Sequence, residues 1–213
     1  MKKIVLIGAG GHCKVIIDII KSTNEYEIIG ITDNNVNGKV FDVPIIGDDT
    51  VLGNIHSAGV DYAFIAIGSL KDINIRNNIY DSLKNIGFKI PVLIHKNAIV
   101  SPFAYIGEGT CVMAGVIVNP GVNIEKNCII NTGSVIEHDC NIGYNTHISP
   151  NASIAGGVNI GCNSHIGIGC TIIQERNIGN NVTIGAGSVV IKDIKDFTLA
   201  VGVPSREIKI KSN

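Results

Sequence analysis

Tryptophan is absent from the 213-residue chain, aromatic residues make up only 5% of it and charged residues only 16%. The 17 Lys and Arg nearly balance the 18 Asp and Glu, leaving a formal net charge of -1. A nucleic-acid binder needs a basic stripe for phosphates and rings on which bases stack, so the composition argues against that class. No apolar run approaches the roughly 20 residues that cross a bilayer. Lys2 and Lys3 precede an apolar stretch at 4–7, but Gly8 ends it far short of the core of a secretion signal. A soluble, cytoplasmic protein without membrane insertion is expected. The six cysteines contain no CxxC pair and sit in a chain large enough to fold without cross-links, so they read as reduced core residues.

What the chain does have is aliphatic packing, with 45% apolar residues and a mean hydropathy of +0.32, which excludes a disordered chain. Two halves follow two different periods. In residues 1–90, apolar runs at 3–7, 27–32 and 62–67 read as strands. Segments 13–21 and 73–86 carry apolar residues at helical spacing. This is a small α/β, Rossmann-like βαβ domain whose parallel sheet binds ligands beyond the carboxyl ends of its strands. The turn Gly8-Ala9-Gly10-Gly11-His12-Cys13 lies at such an end, with Asp33 further on. It is similar to a dinucleotide fingerprint, but Cys13 replaces the third glycine, which weakens a nicotinamide reading. Backbone N–H groups at a helix start still make a diphosphate cradle, which suits a nucleotide-sugar equally well.

From Ile94 to Val190 every sixth residue is Ile or Val, seventeen positions in succession. Gly follows the aliphatic residue at 107, 143, 161, 167, 179 and 185, and small or β-branched residues such as Ala104, Cys128, Ser134, Ala152 and Ser188 stand two places before it. This is the hexapeptide pattern of an all-β left-handed parallel β-helix over 91–213, with three hexads to a triangular coil. Gly202-Val203-Pro204 breaks the pattern and reads as a cap. Cys140, two before Ile142, should point inward, which removes it as a nucleophile. His138 falls at a corner between Glu137 and Asp139, the pairing of a general base with an orienting carboxylate. His147 and His165 share a column one coil apart.

Taken together, the run from Ile130 to Cys140 with its Glu137-His138-Asp139, the Gly8-Ala9-Gly10-Gly11-His12 turn and Gly202-Val203-Pro204 resemble the sugar O/N-acyltransferases. That family is typified by bacterial UDP-4-amino-sugar acetyltransferases and sialic-acid O-acetyltransferases. The resemblance spans almost the whole chain. It implies a homotrimer with active sites between neighbouring β-helices, and direct transfer of acetyl from acetyl-CoA to the 4-amino group of a UDP-linked amino-deoxy sugar, with no metal. It implies His138 as general base and Asp139 as its helper. The family often has Glu where this chain has Asp139, so Glu137 stays open as helper. The same resemblance places the sugar-nucleotide against Gly10, Gly11, His12, Asp33, Asn34, Gly68 and Ser69, with Asn131 beside the acceptor. It places acetyl-CoA against His147, Gly156, Ile168 and Ala186. Lys192, Arg206, Lys209 and Lys211 are cations that could meet the CoA phosphates.

Three rivals are set beside this reading. One is O-acetylation of sialic acid or a related sugar on the same fold. A second is a γ-type carbonic anhydrase, for which the spacings of His138, His147 and His165 lack a close histidine pair. A third is a non-catalytic scaffold that binds a sugar-nucleotide.

Overall fold

The computed structural model describes residues 1–35, 37–68 and 73–210. It divides into two compact units, Met1–Lys96 and Asn97–Asn213. The division falls a few residues beyond position 90, where the sequence period changes.

The first unit is built on a five-stranded sheet. Its elements are β1 (Lys2–Ile7), α1 (Gly11–Thr23), β2 (Tyr26–Thr32), β3 (Lys39–Val40), β4 (Val43–Gly47), α2 (Leu52–Ser57), β5 (Tyr62–Ile65) and α3 (Ile73–Ile86). The sheet order is β3-β4-β2-β1-β5, with β1 parallel to both β2 and β5. Ile4, Val5, Leu6 and Ile7 are all buried, as a central parallel strand covered on both faces requires. The β3–β4 hairpin and the short α2 were not legible from apolar spacing, since neither is long enough to show a period. The strand expected over 62–67 stops at Ile65, opposite Ile7 at the end of β1, and the Arg76 guanidinium takes the carbonyls of Ile65 and Ile67, at 3.4 and 2.6 Å. Arg76 itself is buried on α3. It stands four residues before Tyr80 and seven before Leu83, on the face those two bury.

Because β2 and β5 flank β1 on opposite sides, the chain reverses its direction of sheet growth at β1. Its carboxyl end is therefore the expected ligand crevice. The turn after β1 is anchored there by the Gly8 N–H, which donates to the Thr32 carbonyl at 2.7 Å.

The second unit stacks two-residue strands into three parallel ladders, one of which ends in an antiparallel hairpin of Thr198–Gly202 and Ser205–Ile210. Each two-residue strand pairs with the one 18 residues on, as in Asn123 with Asn141, Ile129 with His147 and Val135 with Ser153. That is the register of a left-handed parallel β-helix built from hexads. The inward aliphatics from Val112 to Val190 are 0–3% exposed. Val100 and Ile106, in the unit's first coil, keep partial exposure.

The small residues two places before the aliphatics also face inward and satisfy backbone carbonyls. Thr110, Thr146 and Ser164 donate hydroxyl hydrogens to carbonyls 15 residues on, each at 2.9 Å, and the Cys128 thiol does the same at 3.3 Å. Cys140 is buried, and burial pushes its thiol pKa up; the same cause pushes Cys170 to about 12. These thiols stay protonated and inert. Cys162 is the half-buried exception.

Every sixth residue from Gly109 to Gly187 has a left-handed backbone, and the positions hold Gly, Asn, Asp139 or Glu175. These are the corners, three residues after each inward aliphatic. His138, expected at a corner two places after Ile136, stands directly before the left-handed Asp139. No described helix is long and apolar enough to span a membrane.

Candidate functional site

His138 and Asp139 occupy one corner of the β-helix. Asp139 takes the left-handed conformation, φ 61°, which short polar side chains tolerate by bonding locally. Its Oδ2 lies 2.8 Å from His138 Nδ1. This hydrogen bond is the main reason the His138 pKa is raised above the ordinary histidine value, with Glu137 adding only a weak through-space contribution. Of the two flanking carboxylates, Asp139 therefore holds the ring. With Nδ1–H given to the carboxylate, the neutral imidazole carries its lone pair on Nε2. The two side chains are 63% and 72% exposed, so the pair is open to an incoming substrate.

A second cluster lies on another face. The Thr132 N–H donates to Asn131 Oδ1 at 2.8 Å, which turns the amide nitrogen toward His147 Nε2 at 3.1 Å. The buried His147 ring stacks on His165 with centroids 5.1 Å apart and an interplanar angle of 28°. One coil on, Ser149 Oγ meets His165 Nε2 at 2.7 Å, repeating the Asn131 and His147 arrangement. The resemblance had put Asn131 with the acceptor and His147 with the donor. The structure puts them in contact. Ser149 and His165 were missed as partners; the signal available was the matching 16-residue spacing of Asn131 with His147 and of Ser149 with His165.

Ile168 and Ala186 share a third location, a corner column one coil apart, and both are exposed. Ile168 keeps 58% of its surface and, with Pro150 and Ala186 one coil to either side, makes an apolar strip. Gly156 belongs instead to the column of His138, one coil above it. Lys192 and Arg206 line a cavity of about 460 Å³ with Asp193, Ser205 and Glu207 near the cap. Lys209 lies in the terminal strand Ser205–Ile210, and Lys211 falls outside the described residues.

In the first unit, Gly10 is the N-cap of α1 and offers no side-chain cap to its first turn. A Cβ built on Gly10 or Gly11 would meet nothing within 4 Å. Neither glycine is required by protein packing, which leaves the space for a ligand. Asp33 is already engaged: its Oδ2 accepts the Ala9 N–H at 2.7 Å and its Oδ1 the Asn35 N–H at 2.9 Å, tying β2 to the turn. Asp33 and Asn34, with Gly8, Thr32, Asp49 and Ile67, border a crevice of about 380 Å³. A second, of about 370 Å³, shares Asp33 and is bordered by Ala9, Gly10, Asn35 and Lys39. Partly exposed His12 has its pKa lowered to about 3, first by burial and then by the Arg76 guanidinium. Its ring is therefore neutral at physiological pH. Gly68 is exposed beyond β5, and Ser69 falls outside the described residues.

Known proteins share this architecture. The family model described as the PglD N-terminal domain matches residues 3–83. PerB from Caulobacter crescentus, solved with CoA and GDP-perosamine, is 37% identical over 98% of each chain, with a TM-score of 0.93. The acetyltransferase domain of PglB from Neisseria gonorrhoeae, solved with acetyl coenzyme A, is 38% identical over 97% of this chain and 99% of that one, with a TM-score of 0.90. The UDP-N-acetylbacillosamine N-acetyltransferase of Bacillus subtilis is 35% identical over 119 residues, 54% of this chain. That match spans 52% of the curated relative, about half its length.

Proposed function

The chain belongs to the sugar N-acetyltransferase family, and from that premise we propose that it transfers acetyl from acetyl-CoA to the amino group of a nucleotide-linked amino-deoxy sugar. The observation that carries the reading is the exposed His138 and Asp139 pair on the β-helix corner. His138 Nε2 takes a proton as the acceptor amine attacks the thioester carbonyl. The C–N bond forms, the C–S bond breaks, and the proton passes to the departing CoA sulfur. Asp139 holds the tautomer and stabilises the imidazolium. Protonated inward thiols favour direct attack over a covalent enzyme intermediate.

The donor lies along the strip of Ile168 and Ala186 with His147, its phosphates toward Lys192 and Arg206. The nucleotide rests on Gly10, Gly11, His12, Asp33, Asn34, Gly68 and Ser69, where the uncapped start of α1 faces the diphosphate. A UDP-linked 4-amino sugar is the first acceptor to try. A GDP-linked one is the second, because PerB was solved with GDP-perosamine. O-acetylation of sialic acid is the third. Release of free thiol from acetyl-CoA across these acceptors tests the reading, and no release with any amino sugar overturns it.

The N-terminal turn gives a sharper test. Gly10→Val should fold, since the added side chain enters open space. It should weaken nucleotide-sugar binding at least about tenfold and leave acetyl-CoA affinity within about twofold, because a side chain there blocks close backbone approach. Calorimetry with each ligand separates the two effects; equal weakening of both would reassign the turn.

The protein acts in the cytoplasm as a homotrimer, with the His138 corner of one chain facing the Ile168 and Ala186 corner of the next. Within one chain these groups occupy different corner columns, so a neighbouring copy supplies the missing half of the groove. Light scattering should return about three times the 22.5 kDa chain mass. A monomer at micromolar concentration would remove both the trimer and the shared site.

A further inference from the structure

The His138 and Asp139 pair sits between two glycines. Gly121 is one coil below Asp139, and a Cβ built on it would run into Asp139 Oδ1. Gly156 is one coil above His138, and a Cβ there would lie 2.6 Å from His138 Nε2 and 2.7 Å from Cε1. The two members of the pair lean in opposite directions, and each leans over a residue with no side chain. Gly121 also has φ +77°, so its own backbone favours glycine. Gly156 is not among the left-handed residues, and its backbone tolerates alanine.

We infer that Gly156 is a positioning residue for the base: its missing side chain is the seat of the His138 imidazole, and Gly121 does the same for Asp139. The inference rests on the proposed role of His138. It differs from a role for Gly156 in letting the pantetheine arm approach the backbone, since it concerns a contact within the chain. An alanine at 156 meets the end of an exposed side chain, which can swing away. The fold survives, but the ring leaves the position from which Nδ1 reaches Asp139. The carboxylate that raises the affinity of the ring for its proton is then lost as well.

Gly156→Ala should therefore keep its melting temperature and bind CoA within about twofold, while kcat falls roughly 10- to 100-fold, the penalty for misplacing a catalytic group by about an ångström. The acidic limb of the pH–rate profile should move to lower pH, and NMR titration of His138 in the unliganded protein should show the same downward shift. In a His138→Ala background the further change to alanine at 156 should cost nothing. Loss of CoA affinity with kcat retained, multiplying losses in the double variant, or an unmoved titration would each overturn the seat. Full turnover by His138→Ala alone would instead overturn the base, and the titration would still report on the seat.

Discussion

Replacing His138 by alanine is expected to lower kcat at least about 100-fold while KM for acetyl-CoA changes little, because a general base is worth roughly 10² to 10⁴ and acts only in the transition state. Asp139→Asn should cost less, since it leaves the imidazole in place and removes only the charge that holds its tautomer and favours its protonated form. The pH dependence follows from the geometry. The hydrogen bond to Asp139 raises the His138 pKa, so the base is half protonated at a pH above the ordinary histidine value of about 6.5. Activity should be full above that raised pKa and fall tenfold per pH unit below it. In Asp139→Asn the acidic limb should shift to lower pH, and in His138→Ala it should vanish. Steady-state rates from pH 5 to 9 check all three. Near-normal turnover of His138→Ala would move attention to the substrate's own amine or to His147.

The second large effect concerns stability. Ile148 is fully buried and stacks between Ile130 and Ile166 in one inward column. Ile148→Ala should cost about 2–5 kcal/mol, the lost transfer energy plus the cavity left behind. For a chain of this length that corresponds to a fall in melting temperature of about 5–15 °C. The coils above and below cannot close the gap, because their spacing is held by backbone ladders on all three faces. Ile168→Ala, on the exposed corner, should stay within about 0.5 kcal/mol of the parent. Calorimetric scans of the two variants make the comparison, and a shift below about 1 °C for Ile148→Ala would show that the column is not close-packed.

The β-helix could be read from sequence alone, because the requirement recurs every six residues and each coil repeats the same inward aliphatic. The direction of Cys140 followed from the same count. So did the shared column of His147 and His165, whose rings do stack. In the first unit, β1, α1, β2 and α3 were legible because each is long enough to display its own period. The β3–β4 hairpin is too short to do so. Arg76 went unnoticed because a lone cation on an apolar helix face is readable only once the strand end it binds is known.

Sequence therefore determined the two architectures and placed a histidine between two carboxylates at a corner. Only the tertiary structure decided which carboxylate holds it, since the answer depends on the left-handed backbone of Asp139. It also decided that Asn131 and His147 touch, that one Asp33 oxygen serves the turn and the other its own loop, that His12 is uncharged, and that His138 lies over Gly156. The physical reason is common to these cases. A hexad constrains its own residues through packing that repeats along the chain. The chemistry of a side chain is set instead by what lies one coil away, on the next strand or under the neighbouring helix, and a local period carries no information about that partner's hydrogen bonds or charge.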